Sequence, residues 1–210
     1  MWLHGIPGCG KSILSSTVLE DLFELCQPQP GHVVVYFYFD FSDPQKQAAE
    51  AMVKSIITQL IRRCSTIPHV LNAFFSQYHR GSQQPSMEAY LEVLEDLIHG
   101  FPRVYLVLDA LDECRSRTEL TDILVRIAEW RIETLHLLVT SRNEQDLGRC
   151  LEDLVEEKYL IGLQSHIVDS DIQLYIRESL CHDKNLWRWR KDSNLQDEIE
   201  NVLLTGSHGM

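Results

Sequence analysis

The residues best equipped for chemistry stand at the start of the chain. Residues 5–12 read GIPGCGKS and fill every fixed position of the pattern G-x-x-x-x-G-K-[ST]. Gly5, Gly8 and Gly10 let the main chain wrap closely around phosphate oxygens. Peptide N–H groups then converge at a helix N-terminus, which favours an anion. Lys11 is placed to neutralise the β- and γ-phosphates of a nucleoside triphosphate, and Ser12 to hold Mg2+. Ile6, Pro7, Cys9 and Ile13 complete the candidate nucleotide-binding set.

A second group follows in VYLVLDALDEC, residues 104–114. Asp109 falls at the C-terminal end of an apolar strand, where open α/β sheets bind their ligands. It is the candidate partner of Ser12 for Mg2+. Many related ATPases place a water-polarising glutamate directly after such an aspartate; here that position is Ala110. Water activation therefore falls to Glu113, ahead of Asp112. The third group is LLVTSR, residues 137–142, an apolar strand ending in Thr140, Ser141 and Arg142. Arg142 is a candidate contact to the γ-phosphate; the rival reading pairs it with one of the many surface acids.

These groups need strands ending at one edge. MWLHGI reads as a short strand, and residues 11–25 as a helix with Ile13, Leu14, Val18, Leu19, Leu22 and Phe23 on one stripe. After the break at QPQPG, HVVVYFYFDF (32–41) is a buried strand. Asp43 is an N-cap and Pro44 a first helical residue, opening a helix over 45–64 with 3.6-residue apolar spacing. Helices are expected over 68–80, 86–99, 117–130 and 144–154, and strands over 103–113, 135–142 and 158–163. Strands that are apolar on both faces and alternate with helices imply a parallel sheet covered on both sides. After residue 163 only helix and loop are expected, with Ser170 and Gln173 as a possible capping box. The reading is an α/β fold: a three-layer αβα sandwich with a parallel sheet over 1–164, then the start of a helical module over 165–210.

Acidic residues outnumber basic ones 31 to 19, giving a net charge of −12. That balance argues against nucleic acid, whose phosphates need clustered Lys and Arg, and against an anionic membrane surface. The six cysteines form no paired metal-binding pattern and suit a reducing interior. Without a signal peptide or an apolar run near 18 residues, the expected location is cytoplasmic.

Taken together, WLHGIPGCGKSILSS, YFYFDFSDPQKQ, VYLVLDALDEC, LLVTSR and VDSDIQLYIRESL resemble, in order and spacing, a NACHT domain of the STAND class of P-loop NTPases. The likeness is to the fungal heterokaryon-incompatibility and nephrocystin-like N-terminal type and covers essentially all of the chain. It implies a switch whose nucleotide-bound domain packs against following helical and winged-helix modules, with self-association on activation. It also implies an N-terminal effector domain and C-terminal repeats. Neither is in these residues, so a fragment or a minimal form is expected.

The expected function is Mg2+-dependent binding of ATP or GTP with slow hydrolysis. The rival is a signalling scaffold that binds nucleotide without turnover, motivated by Ala110. Among weaker features, LWRWRK (186–191) interleaves aromatic and basic residues and reads as a packed lid segment. Cys9 reads as a small residue tolerated at a variable loop position.

Overall fold

The computed structural model describes residues 1–78, 84–163, 165–182 and 193–207. The LWRWRK segment lies outside these residues. Five strands, β1 (Trp2–Gly5), β2 (His32–Tyr38), β3 (Arg103–Asp109), β4 (Leu135–Ser141) and β5 (Leu160–Leu163), form one sheet in the order β2-β3-β4-β1-β5. Every pairing is parallel. All five C-terminal ends therefore share one edge, which carries Gly5, Asp109 and Ser141.

Strand order also decides where the helices go. Crossovers between parallel strands are right-handed. The steps β2→β3, β3→β4 and β4→β5 run one way across the sheet, and β1→β2 runs back. Among the described residues, helix α1 (Lys11–Cys26) thus stands alone on one face. Helices α2 (Ala49–Ile61), α4 (Met87–His99), α5 (Arg117–Glu129) and α6 (Gln145–Leu154) share the other, and α3 (His69–Gln77) packs on α4.

The core is correspondingly lopsided. On the crowded face Val33, Val35 and Phe37 of β2 and Val104, Leu106 and Leu108 of β3 alternate inward against Met52, Val53, Ile56 and Leu60 of α2. Each of these four α2 side chains is fully buried, contributing roughly 1.5–3 kcal/mol relative to exposure. On the α1 face only Leu19 and Cys26 meet Val34 and Val107 as a buried cluster. The stripe of α1 is not buried as a whole: Ile13 is 73% exposed, and Leu14, Val18 and Phe23 also reach solvent. The sheet is covered on both sides, but unequally, because one crossover direction supplies five helices, four of them on the sheet, and the other supplies one.

Several local expectations change. The strand expected over 103–113 ends at Asp109, before a 3-10 segment, Leu111–Glu113. That over 158–163 begins at Leu160, after the 3-10 turn Glu157–Tyr159. The helix over 45–64 splits into a 3-10 turn, Pro44–Lys46, and α2. Asp43 does cap the turn, accepting from Gln45 N–H at 3.0 Å. The break follows Gln47, which is buried and donates to the Phe41 carbonyl. Helix α7 (Ser165–His182) begins five residues before Ser170, so Ser170 lies inside the helix rather than at its start. Helix α8 (Ser193–Ser207) packs on α7, with Glu200 accepting from Gln173 and paired with Arg177 at 2.8 Å.

Edge strand β2 is blunted by a side chain. Gln59 of α2 accepts from Tyr36 N–H at 3.0 Å and donates to Tyr36 C=O at 2.7 Å. One amide thus occupies both main-chain groups that another strand would need. No helix among the described residues is long and apolar enough to cross a membrane.

Candidate functional site

The phosphate loop joins β1 to α1. Gly8 and Gly10 adopt φ of +76° and +89°, conformations open to glycine but costly for other residues. Gly5 is required for space: a Cβ there would lie 2.7 Å from Cys9 Sγ and 3.2 Å from Leu163 O. Cys9 folds back beneath the loop and is buried, so its size matters as well as its position. Ile6 and Pro7 are exposed at the loop crest, and Ile13 at the start of α1. The Lys11 ammonium donates to the carbonyls of Gly5 at 2.9 Å and Ile6 at 2.8 Å. Below the loop, burial holds the His4 imidazole below its ordinary pKa; Glu152 opposes the shift and Lys11 adds to it.

Asp109 is the hub of the site. Its Oδ2 accepts from Ser12 Oγ at 2.6 Å. Its Oδ1 accepts from Ser15 Oγ at 2.8 Å and Thr140 Oγ1 at 2.7 Å. Asp109, Ser15 and Thr140 are all buried. Thr140 also accepts from Ala110 N–H at 3.0 Å, fixing the turn after β3 to the tip of β4. Ser12 Oγ and the Asp109 carboxylate form a pair of hard oxygen donors, the type Mg2+ takes, so the residues present fit that ion. Ser15 escaped the sequence reading because it follows the phosphate-loop pattern. Its only signal was a polar residue one turn after Ser12.

The acids after Asp109 are already engaged. Ala110 sits in the left-handed region at φ +57°, turning the chain into the 3-10 segment Leu111–Glu113. Replacing Ala110 with Gly should relieve this strain and raise stability by up to about 1 kcal/mol, while Val should lower it. Thermal unfolding of both variants checks this.

Asp112 is buried, accepts from Arg142 N–H at 2.9 Å and pairs with Arg142 Nε at 3.0 Å. Expected as an alternative water-activating acid, Asp112 is occupied in holding Arg142. The arginine's partner is a buried acid of the 3-10 segment after β3 rather than a surface one. Glu113 is partly exposed, and its Oε2 accepts from Phe41 N–H at 2.8 Å. It is tied to the loop after β2, where the Ser42 hydroxyl and amide hold Asp40 below the usual carboxylate range. The structure thus gathers Lys11, Ser12, Asp109, Asp112, Glu113 and Arg142 along one sheet edge.

The profile described as "Nephrocystin 3, N-terminal" matches residues 1–142. The chain belongs to the nephrocystin 3 N-terminal family. A curated relative of this nephrocystin-type domain is the vegetative incompatibility protein HET-E-1 of Podospora anserina, 24% identical over 218 aligned residues. The alignment covers 100% of this chain but 15% of HET-E-1, so the chain spans a small part of its relative's length. The motif set thus identifies a NACHT-type P-loop domain, as expected. Among solved structures, the Orc1 protein of Aeropyrum pernix, determined in complex with DNA, superposes with a TM-score of 0.54 at 15% identity. It covers 87% of this chain and 49% of its own, and the likeness shows a shared α/β fold.

Proposed function

We propose that this chain is the nucleotide-binding core of a signalling switch, taking a purine nucleoside triphosphate with Mg2+ and hydrolysing it slowly. The observation that carries the reading is the Ser12–Asp109 contact at 2.6 Å beside a loop with two left-handed glycines. Phosphate oxygens entering the loop compete with the Gly5 and Ile6 carbonyls for the Lys11 ammonium. Ser12 and Asp109 would hold Mg2+, and the ion would supply charge neutralisation at the phosphates. Ser15 and Thr140 keep the Asp109 carboxylate in place for that task. Arg142, half exposed and oriented through its Nε, presents its remaining donors to the outer phosphate.

Residues 1–164 form the nucleotide unit in this reading, and residues 165–210 open a helical module that reads its state. The kinship with a vegetative incompatibility protein supports a role in non-self recognition, with self-association as the output. A net charge of −12 disfavours nucleic acid as the partner.

Binding without turnover is the second reading, and two contacts favour it. Asp112 is committed to Arg142, and Glu113 to Phe41 N–H. Hydrolysis through Glu113 would use its second carboxylate oxygen or release Phe41 N–H. Single-turnover hydrolysis by the Glu113→Gln protein separates the two readings. A rate reduced on the order of 100-fold assigns Glu113 as the general base. An unchanged rate removes it from catalysis and leaves a nucleotide-holding switch.

A further inference from the structure

Arg117, the first residue of α5, is the group that the nucleotide site does not yet account for. Its guanidinium reaches in two directions. Nη2 donates to the main-chain carbonyl of Asp112 at 2.7 Å. Nη1 pairs with Glu144 and lies 3.2 Å from Asp146 Oδ2. Glu144 is the residue immediately before α6 and Asp146 the second residue within it. One planar group therefore joins the turn after β3, the start of α5 and the start of α6.

The same two turns are joined a second time, by Asp112 to Arg142. The result is a closed circuit. Asp112 grips Arg142 with its carboxylate and Arg117 with its carbonyl, and Arg117 grips Glu144, two residues beyond Arg142. Arg142 is bracketed on both sides of its own turn. An isolated, partly exposed ion pair contributes little. This one differs because the fork geometry of Arg spans three main-chain segments at once, which a lysine cannot do. Burial works against the Arg117 charge, but Glu144 and Asp146 outweigh it and hold the group above its ordinary pKa.

We propose that Arg117 is a positioning residue for Arg142, holding the turn between β4 and α6 so that Arg142 meets the γ-phosphate. This rests on the nucleotide reading above. Among the described residues Arg117 hydrogen-bonds neither the phosphate loop nor Asp109, so it acts through the Asp112 turn that holds Arg142 and the turn that follows it. It governs the distinction between triphosphate and diphosphate rather than nucleotide binding as such.

The test is a calorimetric titration with Mg-ATP, Mg-ADP, Mg-GTP and Mg-GDP, using the wild type, Arg117→Ala, Arg142→Ala and the double variant. The wild type is expected to prefer triphosphate. Arg117→Ala loses about tenfold of that preference while diphosphate affinity stays unchanged. Arg142→Ala loses at least as much, and the double variant no more than Arg142→Ala, the non-additivity expected of one residue acting through another. Arg117→Lys recovers part of the loss. Should Arg117→Ala unfold, Glu144→Gln with Asp146→Asn breaks the same tie from the other side and is expected to reproduce the effect.

An unchanged preference, an equal loss for both nucleotides, an additive double variant or a wild type without preference overturns the role of Arg117. A wild type that binds none of the four nucleotides overturns the nucleotide reading beneath it.

Discussion

Replacing Lys11 with Ala is expected to reduce nucleotide affinity on the order of 100-fold, about 3 kcal/mol, while the fold stays intact. The magnitude follows from losing charge-assisted bonds to phosphate, each worth about 1.5–3 kcal/mol. The fold is spared because, among the described residues, the Lys11 ammonium hydrogen-bonds to the loop itself: the carbonyls of Gly5 and Ile6, and Cys9 Sγ at 3.7 Å. These carbonyls lie at a partly exposed loop where water replaces the ammonium. Calorimetric titration with Mg-ATP and Mg-GTP, alongside circular dichroism, measures both halves. Normal binding by a folded Lys11→Ala protein would mean that the nucleotide lies elsewhere.

Replacing Asp109 is expected to act on stability and on binding together. Its carboxylate is the acceptor for Ser12, Ser15 and Thr140, and the last two are fully buried. Removing an acceptor strands each buried donor at about 1–3 kcal/mol. Asp109→Ala should therefore cost about 2–6 kcal/mol and lower Tm by roughly 5–20 °C. Asp109→Asn keeps one carboxamide oxygen and should cost about half of that. Both variants should lose the Mg2+-dependent part of triphosphate affinity, read as the difference between titrations with Mg2+ and with a chelator. An Asp109→Asn protein that retains the full Mg2+ effect would move the metal site away from Ser12 and Asp109.

The phosphate loop was legible because its chemistry is local. Gly5, Gly8, Gly10, Lys11 and Ser12 fall within eight consecutive residues, and their spacing fixes their geometry. The strands were legible for a similar reason. Val33 to Phe37 and Val104 to Leu108 are apolar at successive positions, the signature of a strand buried on both faces. The support around Asp109 was much less legible. Ser15 is 94 residues from it in the chain and Thr140 is 31, and hydroxyls give no periodic signal. The acids 112 and 113 misled in part. Their types fit water activation, yet their fates depend on Arg142 and Phe41, which reach them only after folding.

By itself, then, the sequence determined the class of the fold and the presence of a phosphate cradle, since both arise from spacing along a few turns of chain. The tertiary structure decided everything that depends on which strand tip stands next to which. Placing β4 between β3 and β1 brings Thr140 to Asp109 and Arg142 to Asp112. The opposed crossover directions leave α1 alone on its face, so an apolar stripe that looks like core is half in solvent. Short-range pattern sets the elements. The order of strands, which no single segment encodes, sets the partners of each charge.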